Sequence, residues 1–128
     1  MQGEQVTLYE QVGGEATFRR LVDVFYAKVE ADPVLRPMFP ADLEEGKRAQ
    51  YLFLVQFFGG PQTYMEERGH PRLKMRHFPF PIDQVARDRW LQHMLDALGE
   101  IGIAEPMLTE MRVYFERAST HMINKDSR

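Results

Sequence analysis

The sequence predicts an all-α protein. Apolar residues recur at spacings of three and four almost throughout. No segment shows the strict alternation of a half-buried strand. Glycine, proline and capping residues cut the chain into pieces of helical length. No internal repeat or low-complexity stretch interrupts this pattern. The 128 residues suit one domain, read as residues 1–128. A domain of this size hides roughly 70% of its unfolded surface, so a substantial core is expected.

The elements follow in order. Thr7-Leu8-Tyr9-Glu10 reads as a capping box opening a short helix, which Gly13-Gly14 ends. A second helix is predicted from Glu15 to Ala31, with Phe18, Leu21, Val22, Phe25 and Val29 on its inner face. Asp32-Pro33 stops it, because a residue before proline is pushed away from α geometry. Pro33 to Pro37 holds at most one helical turn, and Phe39-Pro40 is a corner. Asp42-Leu43-Glu44-Glu45 reads as a second capping box, opening a helix to about Phe58. Its inward stripe is Leu43, Gly46, Gln50, Phe53, Leu54 and Phe57, and Gly59-Gly60-Pro61 closes it. Prolines 61, 71, 79 and 81 break the next region, leaving one short helix from Pro71 to His77. Asp83 caps a long helix to about Leu98, with Ala86, Trp90, Met94, Ala97 and Ile101 on one face and Gly99 and Gly102 at its end. The last helix starts near Ala104-Glu105-Pro106 and carries Leu108, Met111, Phe115, Ala118 and Met122.

Composition narrows the function. Lys and Arg number 16 against 19 Asp and Glu, a net charge of −3, which disfavours nucleic-acid binding by overall field. The chain has no cysteine, which excludes disulfides, thiolate metal sites, iron–sulfur clusters and cysteine nucleophiles. No apolar run reaches the roughly 20 residues of a membrane span. The N-terminus lacks the basic and apolar regions of a secretory signal, so a cytoplasmic location and no membrane partner are expected. Nine Phe and eight Met could line a pocket for a flat apolar ligand as readily as fill a core.

The chemistry converges on His77. It ends the short helix and precedes the rigid exit Phe78-Pro79-Phe80-Pro81. Arg68, Arg72, Lys74 and Arg76 place four positive charges in nine positions with no acid among them. One histidine among apolar groups and cations suits a haem, which needs an axial nitrogen and positive charge for two propionates. A basic surface helix ending in a histidine suits the same residues, since the helix dipole favours it. Gln50 lies on an apolar stripe, where an unpaired amide costs roughly 1–3 kcal/mol. Tyr26 borders the inner face of the second helix, and Trp90 lies on that of the long helix. Each of the three can be a core residue satisfied by the backbone. Together they suit a small polar ligand in a dry pocket. His70, His93 and His121 read as structural.

Over most of its length the chain resembles the truncated haemoglobins of group II. The carriers are Tyr9-Glu10-Gln11-Val12-Gly13-Gly14, Phe25-Tyr26, Phe39-Pro40 and Phe58-Gly59-Gly60-Pro61. To these add the specific run Arg68-Gly69-His70-Pro71-Arg72-Leu73-Lys74-Met75-Arg76-His77, then Asp88-Arg89-Trp90-Leu91 and His121-Met122-Ile123-Asn124. The resemblance implies a globin-like two-over-two helical sandwich around haem b (iron protoporphyrin IX), with His77 as the proximal iron ligand. Nδ1–H of His77 would then bond the Leu73 carbonyl. Tyr26, Gln50 and Trp90 would stand on the distal side and stabilise ligand. Phe39 would stack on the porphyrin, and Tyr64, Arg72 and Arg76 would meet the propionates. Phe53, Leu54, Leu73, Met75, Phe80 and Met94 complete the implied lining, with Met38 near it. Two departures stand out: Phe39 replaces a frequent Tyr, and Gly46 a frequent Ala, Ser or Thr, which would leave the entrance beside Gly46 open.

The function so implied is binding of O₂, NO, CO or sulfide at a five-coordinate iron, by a monomer or homodimer. Strong hydrogen bonding to ligand suits nitric oxide dioxygenation or peroxidase-like turnover, which needs an external reductase. Reversible oxygen binding or gas sensing without turnover, and a haem-free helical interaction module, are the competing readings.

Overall fold

The computed structural model describes residues 6–72 and 82–124. These form six α-helices: α1 (Leu8–Gln11), α2 (Glu15–Glu30), α3 (Glu44–Phe57), α4 (Thr63–Arg68), α5 (Gln84–Glu100) and α6 (Met107–His121). A 3₁₀ turn occupies Arg36–Met38, and no strand occurs among the described residues. Helix α2 packs on α3 and on α5, α5 packs on α6, and α4 leans on α3. An α2–α3 layer therefore covers an α5–α6 layer.

The inner face of α2 is the one its periodicity predicts. Phe18, Leu21, Phe25 and Val29 are fully enclosed, and Val22 nearly so. Burying each contributes roughly 1.5–3 kcal/mol. Met94, Ala97 and Leu98 of α5 and Met111 and Phe115 of α6 close the core from the other layer. Helix α1 is opened by Thr7, whose Oγ1 accepts from the Glu10 N–H at 3.2 Å. The Tyr9 N–H donates to the Phe58 carbonyl at 2.9 Å and ties α1 to the end of α3. Gly60 allows that approach, since a Cβ there would stand 2.7 Å from Val55 Cγ1 and 2.9 Å from the Tyr9 ring.

Several boundaries move from their predicted places. Asp42 does not cap α3 as a box. Its Oδ1 accepts from the Glu44 N–H two residues on, and Leu43 takes the cap position. Phe57 is 50% exposed rather than inward. The buried strip of α3 is centred on Leu54, Val55 and the following Phe58, so Phe57 falls to its edge and lies on Tyr114. Helix α4 falls where only proline-broken pieces are expected. Gly69, at φ +77°, terminates it, and Gln56 Oε1 accepts from the Met65 N–H to hold it against α3. Pro71 does not start a helix: Pro71 and Arg72 are non-helical, and Arg72 has φ +45°. The rest of that predicted helix, to His77, lies outside the described residues. Asp83 caps α5 through the Ala86 N–H at 2.9 Å, as predicted. The helix runs through Gly99 to Glu100, and the backbone turns at Gly102, φ +78°. Helix α6 begins at Met107, its first turn capped by Glu105, which accepts from the Thr109 N–H and hydroxyl.

The stop after α2 is more than a proline effect. The Asp32 carboxylate accepts from the N–H groups of Val34 and Leu35 at 2.8 and 3.2 Å. Its side chain is 2% exposed, yet it also meets Arg89 Nε at 3.0 Å and His93 Nε2 at 2.7 Å, both on α5. Beyond it, Arg36 donates to the carbonyls of Phe39, Pro40 and Ala41 and shapes the corner that presents Phe39.

Burial would raise the Asp32 carboxyl, but Arg89, His93 and the two backbone N–H groups overcome this and hold it well below its ordinary 3.8. A depressed folded value means that the ionised group adds stability above about pH 4, and that this is lost as pH falls through the folded value. Asp32→Asn should therefore cost about 1–3 kcal/mol near neutral pH. In urea unfolding at a series of pH values, the gap from wild type should hold steady above about pH 5 and narrow below pH 4.

Candidate functional site

Helix α2 supplies Tyr26, the residue after the core Phe25. Its ring is 6% exposed and lies edge-on to Phe25 and to Phe39, at 5.5 and 6.0 Å between centroids. Burial pushes its phenol up to about 12, so it stays a neutral donor at physiological pH. Across from it on α3, a Cβ on Gly46 would stand 3.2 Å from the Tyr26 hydroxyl oxygen. The phenol thus reaches toward the room left by Gly46, which is itself exposed. Gln50 lies one turn further along α3. Its Oε1 is buried and has no hydrogen-bond partner among the described residues.

Trp90 comes from α5. Its indole packs against Phe25 at 5.2 Å, 65° between planes, and against Phe115 at 6.0 Å. Phe39, Tyr26, Phe25, Trp90 and Phe115 form one run of neighbouring rings that crosses from the corner through α2 to α5 and α6. Neither the Tyr26 hydroxyl nor the Trp90 indole N–H makes a hydrogen bond among the described residues. Two donors on this run are therefore unspent, and Gln50 Oε1 is an unpaired acceptor on α3. The two donors suit capture of a small ligand that accepts hydrogen bonds.

The other candidate residues divide. Phe53 is half-buried and packs edge-on to the buried Tyr64 of α4 at 5.6 Å. Met38 is half-buried beside Phe39 in the sequence. Leu54 and Met94 belong to the core. Arg72 is exposed. Arg68, counted in the basic run, meets Glu45 at 3.1 Å. His77, Leu73, Met75, Arg76 and Phe80 lie outside the described residues. Sequence reasoning missed the aromatic bracket of Phe25 and Phe115 around Trp90, and the contacts of Asp32 with Arg89 and His93. His93, read only as structural, is one arm of that cluster.

A helical two-layer fold with such a run of rings defines a globin-type small-ligand binder. The match of residues 7–124 to the bacterial-like globin family places the chain there, and its identity to a group 2 relative places it among the group II truncated haemoglobins. It is similar to the group 2 truncated hemoglobin YjbI of Bacillus subtilis, 43% identical over 117 residues that cover 91% of this chain and 88% of that one. Among solved structures it resembles the hemoglobin of the thermophilic phototroph Chloroflexus aurantiacus, at 63% identity and a TM-score of 0.93, covering 94% of this chain and all of that one. The group II truncated hemoglobin of Bacillus anthracis superposes with a TM-score of 0.95 at 37% identity, over 98% of this chain and 97% of that one. Membership implies haem-based binding of a small gas ligand.

The contact of Gly46 with Tyr26 gives a clean test. Alanine in a helix interior gains roughly 0.5–1 kcal/mol over glycine. In Gly46→Ala the crowded hydroxyl should cancel most of that gain. In the Tyr26→Phe background, with the hydroxyl gone, the same substitution should show the full gain. Urea unfolding of the four proteins measures the coupling, and simple additivity would contradict the contact.

Proposed function

We propose that the chain holds haem b through His77 and uses Trp90, Tyr26 and Gln50 to retain O₂ or a similar small ligand. The observation that carries this is the pair of unspent donors on the aromatic run, the Tyr26 hydroxyl and the Trp90 indole N–H. Gln50 can join them as a donor with its carboxamide turned so that Nε2, and not the buried Oε1, faces the ligand. Phe39, Phe53, Met38, Met94 and Leu54, with Leu73, Met75 and Phe80, form the apolar seat in this reading, and Tyr64, Arg72 and Arg76 take the propionates. Haem b, when bound, supplies reversible gas binding and a one-electron redox couple.

The chain's own groups then decide how tightly ligand is kept. The Trp90 indole has one donor and no acceptor, so it can serve only as donor. Tyr26 and Gln50 can rotate and replace one another. A polarised ligand such as O₂ accepts these bonds, whereas CO accepts them weakly. Slow O₂ release makes a poor carrier and favours turnover on retained ligand, such as nitric oxide dioxygenation to nitrate or peroxidase-like chemistry. The electrons come from a separate reductase, and the work is done in the cytoplasm. The same donors suit NO or sulfide.

Trp90→Phe should speed O₂ release about 10- to 150-fold, more than Tyr26→Phe or Gln50→Leu, and should change CO release much less. Stopped-flow dissociation of both gases measures this. A change within about two-fold for O₂, or equal changes for both gases, would make Trp90 a space-filler. His77→Gly should lose stable haem retention and regain it with external imidazole. An unchanged spectrum and haem affinity in that variant rules out His77 as ligand. Nitric oxide consumption with a supplied reductant, faster than autoxidation, separates turnover from simple binding.

A further inference from the structure

Among the described residues, Asp32 is the one buried acid, and nothing in ligand binding requires it. As the cap of the turn after α2 it needs only a neutral acceptor: Oδ1 takes the Val34 and Leu35 N–H groups, which an asparagine could also do. Its second oxygen is spent elsewhere. Oδ2 accepts from Arg89 Nε at 3.0 Å and meets His93 Nε2 at 2.7 Å, and Oδ1 accepts from Arg89 as well, at 3.1 Å.

The place of these partners is what matters. Arg89 immediately precedes Trp90 and His93 follows it by three positions, so the carboxylate grips α5 on both sides of the tryptophan. Asp32 lies two residues beyond the end of α2, seven positions after Phe25. Phe25 touches the Trp90 ring while Asp32 holds its neighbours. A ring contact alone lets α5 roll, since edge-to-face packing tolerates a range of angles. A carboxylate held by a guanidinium and an imidazole has a fixed direction. Among the described residues one ion pair joins α2 itself to α5, Lys28 with Glu100, and it lies at the far end of α5.

We propose that Asp32 is a positioning residue for Trp90: by holding Arg89 and His93 it sets the rotation of α5 and so the aim of the indole N–H. This rests on the reading of Trp90 as a ligand donor. It also accounts for a carboxylate being kept where its burial is costly and a neutral cap would serve.

The test uses haem-loaded wild type, Asp32→Asn, Trp90→Phe and the double variant. Asp32→Asn should speed O₂ release roughly three- to ten-fold, less than Trp90→Phe, because misaiming weakens a donor without removing it. In the Trp90→Phe background it should change release by less than about two-fold. Trp90 is the only tryptophan of the chain. Ultraviolet resonance Raman of the O₂-bound protein therefore reads its indole alone, and the N–H hydrogen-bond marker should shift in Asp32→Asn. Loss of stability with unchanged O₂ release and an unchanged indole marker would reduce Asp32 to a cap. Equal acceleration in the presence and absence of Trp90 would likewise overturn the proposal. If Trp90→Phe itself leaves O₂ release unchanged, the ligand reading fails, and the indole marker alone decides whether Asp32 positions the ring. Should Asp32→Asn not fold, Arg89→Ala removes one arm from a side chain that is 43% exposed and keeps the cap. It should then shift the same marker in the same direction, and no shift would count against the proposal.

Discussion

Everything in this fold depends on α2 being packed on two sides at once. Phe25 is fully enclosed, and it touches Tyr26 in the sequence direction and Trp90 across the layer boundary. One phenylalanine therefore sets the distance between the polar groups contributed by two different helices. Protein cores are close-packed and transmit displacement, so a shift of α2 relative to either neighbour is felt at both groups. The site is a property of the interface between layers and not of any one loop.

What the sequence makes legible here is what is local. The inner face of α2 is read correctly because five apolar residues repeat with the helical period and need no partner to be recognised. Asp83 is read correctly because a cap acts on a neighbour three positions away. Tyr26, Gln50 and Trp90 stand out as polar groups on apolar faces, which is a feature of composition within one helix. Phe57 misleads for the complementary reason. It shares the helical phase of the stripe, but how wide a stripe α3 buries is decided by what packs on it.

The remaining features are non-local. Asp32 meets Arg89 and His93 across separations of 57 and 61 residues, and no spacing rule links an acid before a proline to two bases on a distant helix. Helix α4 is six residues long with little apolar periodicity of its own. It owes its place to a glutamine on α3 and to ion pairs of Arg48 with Glu67 and Arg68 with Glu45. Exposed pairs of this kind are each worth about 0–1 kcal/mol, too little to mark a helix in advance.

The corner after α2 is written at a residue outside it. Arg36 holds the carbonyls of Phe39, Pro40 and Ala41 with a single planar fork. Because only main-chain oxygens are gripped, the side chain at 41 takes no part in holding the path of the chain, while Pro40 adds its own fixed φ. Position 36 is not free to change: a lysine brings one compact charge on a flexible stem and cannot span three oxygens in a fixed plane. Tolerance and intolerance to change are thus separated by a few residues along the same turn, and the residue that governs where Phe39 lies carries no trace of the site in its own chemistry.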